Sequence, residues 1–260
     1  MSNSPLVTYT KISPNRTSPR KHKIDTITIH VIVGQWTAKQ GCDFFANPER
    51  EASSNYVVGK DGSIGLCVEE KDRAWTSGGK LKANGISGSE NDHRAVTIEV
   101  ASDTSHPYKI TDKALNALIE LCADICKRNG IKRLLWEGNK ALVGNISRQN
   151  MTVHRWFANK TCPGDYVYNL HPYIAQKVNE KLEDDDMDVK RFKELWIEMR
   201  KELQDNDSNK YSEEARQWAV STGLVAGGSS GEFNGMWEDI LTREQLITVL
   251  YRFAKMLGVS

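Results

Sequence analysis

The sequence has no apolar run of the length that a membrane-spanning helix requires. Such a helix needs about 18 consecutive apolar residues, and polar or charged residues interrupt every apolar stretch of this chain before that length. The N-terminal segment MSNSPLVTYTKISPNR also lacks the charged and then apolar layout of a secretory signal. We therefore expect no membrane partner, no signal peptide and synthesis in a cytosol.

Cysteine is scarce and follows no regular spacing. The 260 residues include five cysteines, an odd number that does not suit a disulfide framework and favours a reducing compartment. Cys122 and Cys126 lie four residues apart on an apolar stripe without a histidine or acid. This pattern indicates packing rather than metal binding.

Neither sign of charge is in large excess over the whole chain. The net charge is +1, but residues 1–182 carry about +7 and residues 183–260 about −6. A cationic first part suits nucleic acid, an anionic cell wall or no particular partner. Because the sequence contains neither a zinc-finger spacing nor a basic helix followed by heptads, nucleic-acid binding is not predicted.

An acidic segment divides the chain into two regions. Residues 180–188 contain six acids and one lysine, which is typical of a solvated break. We expect a larger domain over residues 1–182, an acidic linker over 183–190 and a small all-helical domain over 191–260. The chain is long enough for this organisation.

The first region alternates strand and helix patterns. Residues 24–33 and 95–101 are β-branched runs of the kind found in strands that are buried on both faces. Residues 111–129 form an amphipathic helix pattern closed by Asn-Gly, and a second helix is expected to begin near Pro172. The polar residues 1–23 are interpreted as an extended arm. The pattern predicts an α/β domain with a central mixed sheet covered by helices.

Three strand residues stand out against their surroundings. His30 interrupts ITIHVIV and is either a hydrogen-bonded core residue or a metal ligand fixed on a rigid strand. Glu99 interrupts AVTIEVA, where a carboxylate is costly unless it is paired, metal-bound or functional. Tyr56 opens a hairpin pattern and is most simply an ordinary strand aromatic.

The loop MTVHRWFANKTCPGD combines His154, Lys160 and Cys162. Zinc accepts neutral imidazole and thiolate together, and a catalytic zinc has three protein ligands and an open position. The loop offers two ligands, so the third must come from elsewhere. Taken alone, this spacing also arises by chance, because a free cysteine is usually a small buried hydrophobe.

A long loop rich in glycine, serine and asparagine begins at Ala74 and continues to Arg94. It exceeds the usual connection of a few residues, and loops of this kind are often functional. We expect it to form one wall of a substrate groove.

Four segments occur in the order found in one known family. They are ITIHVIV, SSNYVVGKDGSI, NDHRAVTIEVA and VHRWFANKTCPGD. Together, over about residues 24–182, they resemble the zinc-dependent N-acetylmuramoyl-L-alanine amidases of the phage-lysozyme and peptidoglycan-recognition-protein family. The resemblance implies hydrolysis of the peptidoglycan amide that joins N-acetylmuramic acid to L-Ala.

The resemblance also implies roles for individual residues. The Zn²⁺ ligands would be His30, His154 and Cys162. Glu99 would be the catalytic base, and Lys160 would stabilise the oxyanion of the tetrahedral intermediate.

Two further positions follow from the same resemblance. Tyr56 resembles a tyrosine that lies near the zinc in several relatives and is included among the catalytic residues. Thr76 departs from the family pattern, since many relatives carry histidine there, so a contribution of this position to substrate binding is in doubt.

Two other functions compete with an endolysin. One is a non-catalytic peptidoglycan-binding module of the same fold, but such modules can lose the thiolate that Cys162 retains here. The other is a cytosolic amidase that recycles wall fragments, which the appended second domain disfavours.

The second region contains helix patterns with defined starts. One apolar stripe follows residues 192–203, another helix starts at Ser212 with Trp218 and Ala219 inward, and Thr242 with Gln245 forms a capping box. The third helix is expected to direct Leu246, Val249, Leu250, Phe253 and Leu257 inward.

The segments SEEARQWAVSTGLVAGGSSG and LTREQLITVLYRF are similar to a single surface-layer-homology repeat. This similarity implies binding to a secondary cell-wall polymer. A helical unit that forms a homodimer or rigidifies the enzyme is the alternative, since small units often need a partner to bury enough surface.

These observations favour an endolysin of phage or prophage origin. We expect it to remain in the cytoplasm of the bacterial host until lysis and then to act on the cell wall.

Overall fold

The computed structural model describes residues 3–184, 189–204, 207–225 and 235–259. The chain divides into two compact units, Met1–Asp186 and Met187–Ser260. The acidic linker predicted over 183–190 lies partly outside the described residues. Its described ends belong to helices, one ending at Asp184 and the other beginning at Val189.

The first unit is an α/β domain. Its strands are β1 (Tyr9–Thr10), β2 (Arg16–Thr17), β3 (Thr26–Val33), β4 (Tyr56–Val58), β5 (Ile64–Leu66), β6 (Arg73–Ala74), β7 (Lys82–Ala83), β8 (Ile86–Ser87), β9 (Ala95–Ser102) and β10 (Met151–Thr152). Its helices are α1 (Ala38–Phe45), α2 (Gly88–Arg94), α3 (Asp112–Asn129) and α4 (Gly164–Asp184).

The central sheet has six strands in the spatial order β1-β5-β4-β9-β3-β10. Strands β4 and β5 are antiparallel, and the other neighbouring pairs are parallel. The predicted mixed sheet is therefore confirmed.

Strands β3 and β9 form the centre of the sheet. They pair in parallel along their whole length, and His30 lies directly opposite Glu99. Nearly every residue of both strands is buried, which agrees with the β-branched composition of strands covered on both faces. The pairing brings the two unusual polar residues of the strands side by side.

One face of the sheet carries the main apolar core. Helices α3 and α4 pack there, with Leu118 and Ile125 of α3 buried against Ile29 and Ile98 of the sheet. Cys122 and Cys126 are buried in the same cluster, so their predicted packing role is confirmed. The predicted bounds of α3 are also close, because Thr111 caps its start and a left-handed Gly130 (φ 69°) follows its end.

The opposite face is covered by α1. Val57, Cys42 and Phe45 form a second apolar cluster with Ile32 and Cys67. Alternation along β3 places His30 on the same face as Ile32, and the register of β4 places Val57 beside Glu99. This face therefore holds the polar residues of the strands.

The N-terminal segment, predicted as an extended arm, pairs with other strands of the domain. Strand β1 pairs with β5, and β2 pairs with β6. Arg20, from the basic run, is buried and donates hydrogen bonds to five backbone carbonyls. The polar composition reflects hydrogen bonding to the rest of the domain rather than solvation.

Helix α4 begins at Gly164, well before the predicted start near Pro172. A proline inside a helix removes one backbone hydrogen bond and strains the preceding turn. The buried faces of Val167, Ile174 and Val178 lie in the main core on both sides of the proline. Packing against α3 therefore holds the helix continuous.

The described residues of the second unit form α5 (Val189–Leu203), α6 (Glu213–Ser221) and α7 (Arg243–Met256). The predicted all-helical character is confirmed, and so is the capping box of Thr242 and Gln245. Every helix in the described part of the chain is too short or too polar to cross a membrane.

The predicted inward faces of α6 and α7 are only partly covered. Ala219 is buried, but Trp218 is exposed, and Leu250 and Phe253 remain 51% and 39% exposed. Leu246 and Leu257 are exposed as well. A unit of this size has too little volume to enclose the apolar stripes of all its helices.

Candidate metal centre

Strands β3 and β9 and the loop after β10 bring the predicted site residues together. Strand β3 supplies His30, and the register of β3 with β9 supplies Glu99. Strand β10 pairs in parallel with β3, and His154 follows it in a short 3-10 turn. Cys162 lies at the end of the same loop, just before α4.

His30, His154 and Cys162 offer one ligand atom each, and these atoms lie within 4.8 Å of one another. The His30 Nδ1 to Cys162 Sγ distance is 3.6 Å. Tetrahedral zinc with Zn–N of about 2.0 Å and Zn–S of about 2.3 Å separates a nitrogen and a sulfur ligand by about 3.6 Å. The donor set and this spacing therefore fit zinc.

Both histidines are held in the neutral form that binds metals. Burial lowers the pKa of His30 well below its ordinary value of 6.5, and the nearby His154 and Lys160 lower it further. Burial also lowers the pKa of His154, against a hydrogen bond to the Gly78 carbonyl. Neutral imidazole retains a lone pair for a metal.

Cys162 is half-buried, and its Sγ lies 3.6 Å from His30 Nδ1. Burial raises the pKa of its thiol, and the carboxylate of Glu99 raises it further. A bound cation reverses this preference, because coordination stabilises the thiolate. The thiol is therefore best suited to a role beside a metal ion.

Glu99 borders the three ligands. Its Oε1 lies 3.9 Å from His30 Nδ1, and its buried Oε2 has no hydrogen-bond partner among the described residues. Burial raises the pKa of Glu99 to about 8, against the effect of Lys160. A carboxyl group of this kind can exchange a proton near neutral pH.

Lys160 is exposed at the edge of the same site. Its positive charge lowers the pKa of Glu99 and of both histidines, so it acts within electrostatic range of all three. It is the cation that faces the open side of the ligand group in the described structure, beside Thr161 and Cys162.

A cavity of about 400 Å³ opens over these residues. Glu99, His154, Lys160 and Cys162 lie on its wall. The other lining residues are Val31, Val33, Phe45, Ala52, Ser53, Trp75, Thr76 and Thr161. The loop that follows Ala74 thus contributes two residues of the wall, and aromatic side chains flank the polar group.

Tyr56 does not join the other predicted site residues. The register of β4 places Val57, not Tyr56, beside Glu99, so the tyrosine points into the main core on the other face. Its hydroxyl donates to Glu70 Oε1 at 2.7 Å and accepts from the Ser4 N–H. This placement corrects the expectation that Tyr56 lies near the metal.

Thr76, the position that departs from the family pattern, has a local structural role. Its hydroxyl donates to the Ser53 carbonyl at 2.7 Å and lies 2.8 Å from the Thr97 hydroxyl. It lines the cavity without belonging to the ligand group.

The sequence patterns do not single out Ser77 and Gly78, the two residues after Thr76. Ser77 Oγ lies 3.4 Å from His30 Nε2, and the Gly78 carbonyl oxygen lies 3.3 Å from His154 Nε2. The only sequence signal for them was their place in the long loop predicted to form a wall.

The sequence model of the family described as N-acetylmuramoyl-L-alanine amidase matches residues 20–165. The match spans more than half of the chain and includes every predicted ligand. No curated protein matches the sequence significantly.

Several solved structures resemble about two thirds of this chain at low identity. A mutant endolysin from Bacillus subtilis is 17% identical, with a TM-score of 0.47 over 66% of this chain and 99% of its own. The selenomethionine derivative of AmpD is 18% identical, with a TM-score of 0.47 over 67% and 99%. The hydrolase AmiA of Staphylococcus aureus is 16% identical, with a TM-score of 0.45 over 67% and 82%. The family match, not these structures, carries the assignment.

Proposed function

The chain belongs to the N-acetylmuramoyl-L-alanine amidase family, and from this premise we propose that it hydrolyses peptidoglycan with a Zn²⁺ ion held by His30, His154 and Cys162. The enzyme is a hydrolase of the amide between N-acetylmuramic acid and L-Ala. The observation that carries the zinc proposal is the convergence of three ligand atoms within 4.8 Å beside an unpaired buried carboxylate oxygen.

Amide hydrolysis needs a better electrophile and a better nucleophile than an amide and water provide. When bound, zinc would supply Lewis acidity that polarises the amide carbonyl and acidifies the attacking water. The protein side chains must then orient the substrate, move protons and stabilise the developing charge.

Glu99 is proposed as the proton carrier. Its Oε2 is free of protein partners within the described residues, so a water molecule can occupy that position and donate to it. The carboxylate accepts a proton from the attacking water and passes it to the leaving nitrogen. The raised pKa of about 8 makes the protonated state accessible for the second transfer.

Lys160 is proposed to stabilise the oxyanion of the tetrahedral intermediate. Lys160 is exposed and lines the cavity, so its ammonium group can approach a substrate carbonyl bound there. An oxyanion-hole donor contributes roughly 3–4 kcal/mol to transition-state stabilisation, and a comparable contribution is proposed for Lys160. Tyr56 has no part in this proposal, because its hydroxyl is engaged with Glu70.

The second unit is proposed to bind the cell wall. Its described helices expose apolar side chains such as Trp196, Ile247 and Tyr251, and a secondary cell-wall polymer is the ligand that the resemblance to a surface-layer-homology repeat implies. An amidase joined to such a unit suits an endolysin that is stored in the host cytoplasm and reaches the wall at lysis. Dimerisation through the same helices is the alternative.

Mass analysis of purified cell wall after digestion tests the activity. We expect new free amino termini of L-Ala and no new reducing sugars, and a chelator should abolish their release until zinc is added back. New reducing sugars without free L-Ala would overturn the amidase assignment. Full release in the presence of the chelator would overturn the zinc proposal.

A further inference from the structure

In each candidate histidine ligand, one ring nitrogen contacts the loop that contains Ser77 and Gly78. His30 Nδ1 faces Cys162 Sγ at 3.6 Å, while His30 Nε2 faces Ser77 Oγ at 3.4 Å. His154 Nε2 faces the Gly78 carbonyl oxygen at 3.3 Å, and Nδ1 has no hydrogen-bond partner among the described residues. Two consecutive residues therefore contact the outer nitrogens of both rings.

The contact with Gly78 selects the tautomer of His154, and the contact with Ser77 is compatible with the same tautomer in His30. A carbonyl oxygen can only accept, so the contact with Gly78 requires the proton of neutral His154 to be on Nε2. The Ser77 hydroxyl can accept a proton from Nε2 of His30 in the same way. In both histidines the Nδ1 lone pair is then directed toward the ligand group.

The loop itself is anchored by Asp92 of α2. Asp92 Oδ2 accepts hydrogen bonds from the backbone N–H of Thr76 at 3.0 Å and of Ser77 at 2.8 Å. The carboxyl group is buried, and its Oδ1 has no partner among the described residues. A buried carboxylate is costly unless hydrogen-bonded, and here both of its bonds hold one short loop.

Close packing limits the freedom of this loop further. A Cβ on Gly79 would overlap the carbonyl oxygen of Phe157, and a Cβ on Gly88 would overlap the carbonyl oxygen of Ser77. Glycine at both positions lets the loop lie directly against α2 and against the segment that follows His154. Small displacements of the loop are therefore restricted.

We infer that Ser77 and Asp92 are positioning residues of the metal centre. Ser77 orients His30, the Gly78 carbonyl orients His154, and Asp92 holds both contacts in place through the backbone of the loop. The inference rests on the proposed function, since it assumes that the two histidines bind the ion. Outer partners of this kind typically change metal affinity by about 10- to 100-fold.

Zinc affinity of the full-length protein tests this inference, measured by competition with a chromogenic chelator. Ser77→Ala should weaken zinc binding by about 10-fold or more and alter the visible spectrum of the cobalt-substituted protein. Ser102→Ala is the matched control, because Ser102 is equally buried but donates to the Ile32 carbonyl, away from the histidines. It should leave both readouts unchanged.

Asp92 provides a second pair of variants. Asp92→Ala should weaken zinc binding, and Asp92→Asn should recover most of the affinity, because an amide oxygen can accept the same two N–H bonds. If Asp92→Ala does not fold, the zinc affinities of Asp92→Asn and Ser77→Ala are compared instead. The first variant changes the residue that holds the loop, and the second removes the hydroxyl that contacts the His30 ring.

The outcomes distinguish this inference from the proposed function. A wild-type protein that binds one zinc, together with a Ser77→Ala variant that binds it equally tightly and gives the same cobalt spectrum, would overturn the inference alone. A wild-type protein that binds no zinc would overturn both.

Discussion

The two oxygens of the Glu99 carboxyl group lie in different environments. One oxygen lies 3.9 Å from His30 Nδ1, and the other has no partner within the described structure. Among the described residues that line the cavity, Glu99 is the only acid and Lys160 the only lysine or arginine. This arrangement suits a proton carrier better than a structural ion pair.

We expect Glu99→Gln to bind zinc as the wild-type protein does and to lose about 10²- to 10⁴-fold in kcat, because the amide cannot accept the proton. Turnover of a soluble muropeptide and zinc content by atomic absorption would be measured. Glu137→Gln, which removes an exposed partner of Arg148, is the control. Activity near the wild-type level in Glu99→Gln would exclude Glu99 as the base.

Arg20 is an example of a charged residue that stabilises the fold. Its guanidinium is buried and donates to the carbonyls of Glu70, Asp72, Asp92, His93 and Ala95. Burial lowers its pKa to about 10, against the attraction of nearby carboxylates. The planar guanidinium group, with its N–H donors, joins the N-terminal segment to residues 70–72, to α2 and to β9.

Arg20→Met should lower the free energy of unfolding of the first unit by about 3–5 kcal/mol, because the substitution leaves five backbone carbonyls, most of them buried, without their donor. Chemical denaturation followed by circular dichroism measures this change. Lys21→Met removes the exposed neighbouring cation and should change the stability by less than about 0.5 kcal/mol. Equal effects of the two variants would contradict this account.

At the scale of elements, the ends of α3 depend on local backbone chemistry. Thr111 accepts a hydrogen bond from Ala114 N–H at the start, and Gly130 adopts a left-handed conformation (φ 69°) at the end. A Cβ on Gly130 would meet no atom within 4 Å. The glycine is therefore required by its conformation and not by space.

Gly130→Ala should destabilise the first unit by about 1–2 kcal/mol, the cost of a left-handed conformation for a residue with a Cβ. Gly130→Asn should recover part of this loss, since asparagine tolerates that conformation. Thermal unfolding of both variants provides the measurement. A stable Gly130→Ala protein would mean that the end of α3 has rearranged.

In the second unit, a carboxylate of the segment before α7 contacts two side chains of the α5 region. Asp239 accepts hydrogen bonds from Arg200 Nε at 2.9 Å, Arg200 Nη2 at 2.6 Å and Gln204 Nε2 at 2.9 Å. The bonds from Arg200 and then Gln204 hold the pKa of Asp239 below its ordinary value of 3.8. The carboxylate therefore stabilises the folded state only while it is ionised.

A lowered pKa in the folded state means that this stabilisation is present above the unfolded pKa of about 4 and is lost as the pH falls further. Asp239→Asn should therefore lower the unfolding midpoint of the second unit near neutral pH, and the difference from wild type should shrink below about pH 4. Thermal melts of the full chain, followed by tryptophan fluorescence at several pH values, measure it. A difference that does not change with pH would refute the ionic contribution.

At the scale of the whole molecule, the chain combines a unit with a candidate metal centre and a helical unit with exposed apolar faces. The first region has a net charge of about +7 and the second about −6. A cationic catalytic unit is suited to an anionic wall. The wall-binding function of the second unit remains a proposal and has its own test.

A fragment of residues 1–186 should hydrolyse a soluble muropeptide at about the wild-type rate. On intact walls at low enzyme concentration its rate should fall by about tenfold or more, because the second attachment is lost. Sedimentation of residues 187–260 with purified wall measures that attachment directly. If the fragment matches the full chain on walls, and the full chain sediments as a dimer, the helical unit serves association instead.

Much of the domain was predictable from sequence because local patterns report local structure. The buried strands, the bounds of α3 and the capping box of Thr242 each follow from residues that are adjacent or one turn apart. The start of α4 was not predictable in this way. Packing of Val167, Ile174 and Val178 against the core outweighs the local preference of Pro172.

The chemical types at the candidate metal centre could be read from the sequence alone: two imidazoles, a thiol, a carboxyl group and an ammonium group in three separate segments. Their roles remain predictions. Only the tertiary structure decided which of the singled-out residues share a face, because strand register and side-chain alternation place Glu99 beside His30 and turn Tyr56 to the opposite core. The contacts of Ser77, Gly78 and Asp92 also depend on the tertiary structure, since a hydrogen bond between distant segments leaves no periodic pattern in the sequence.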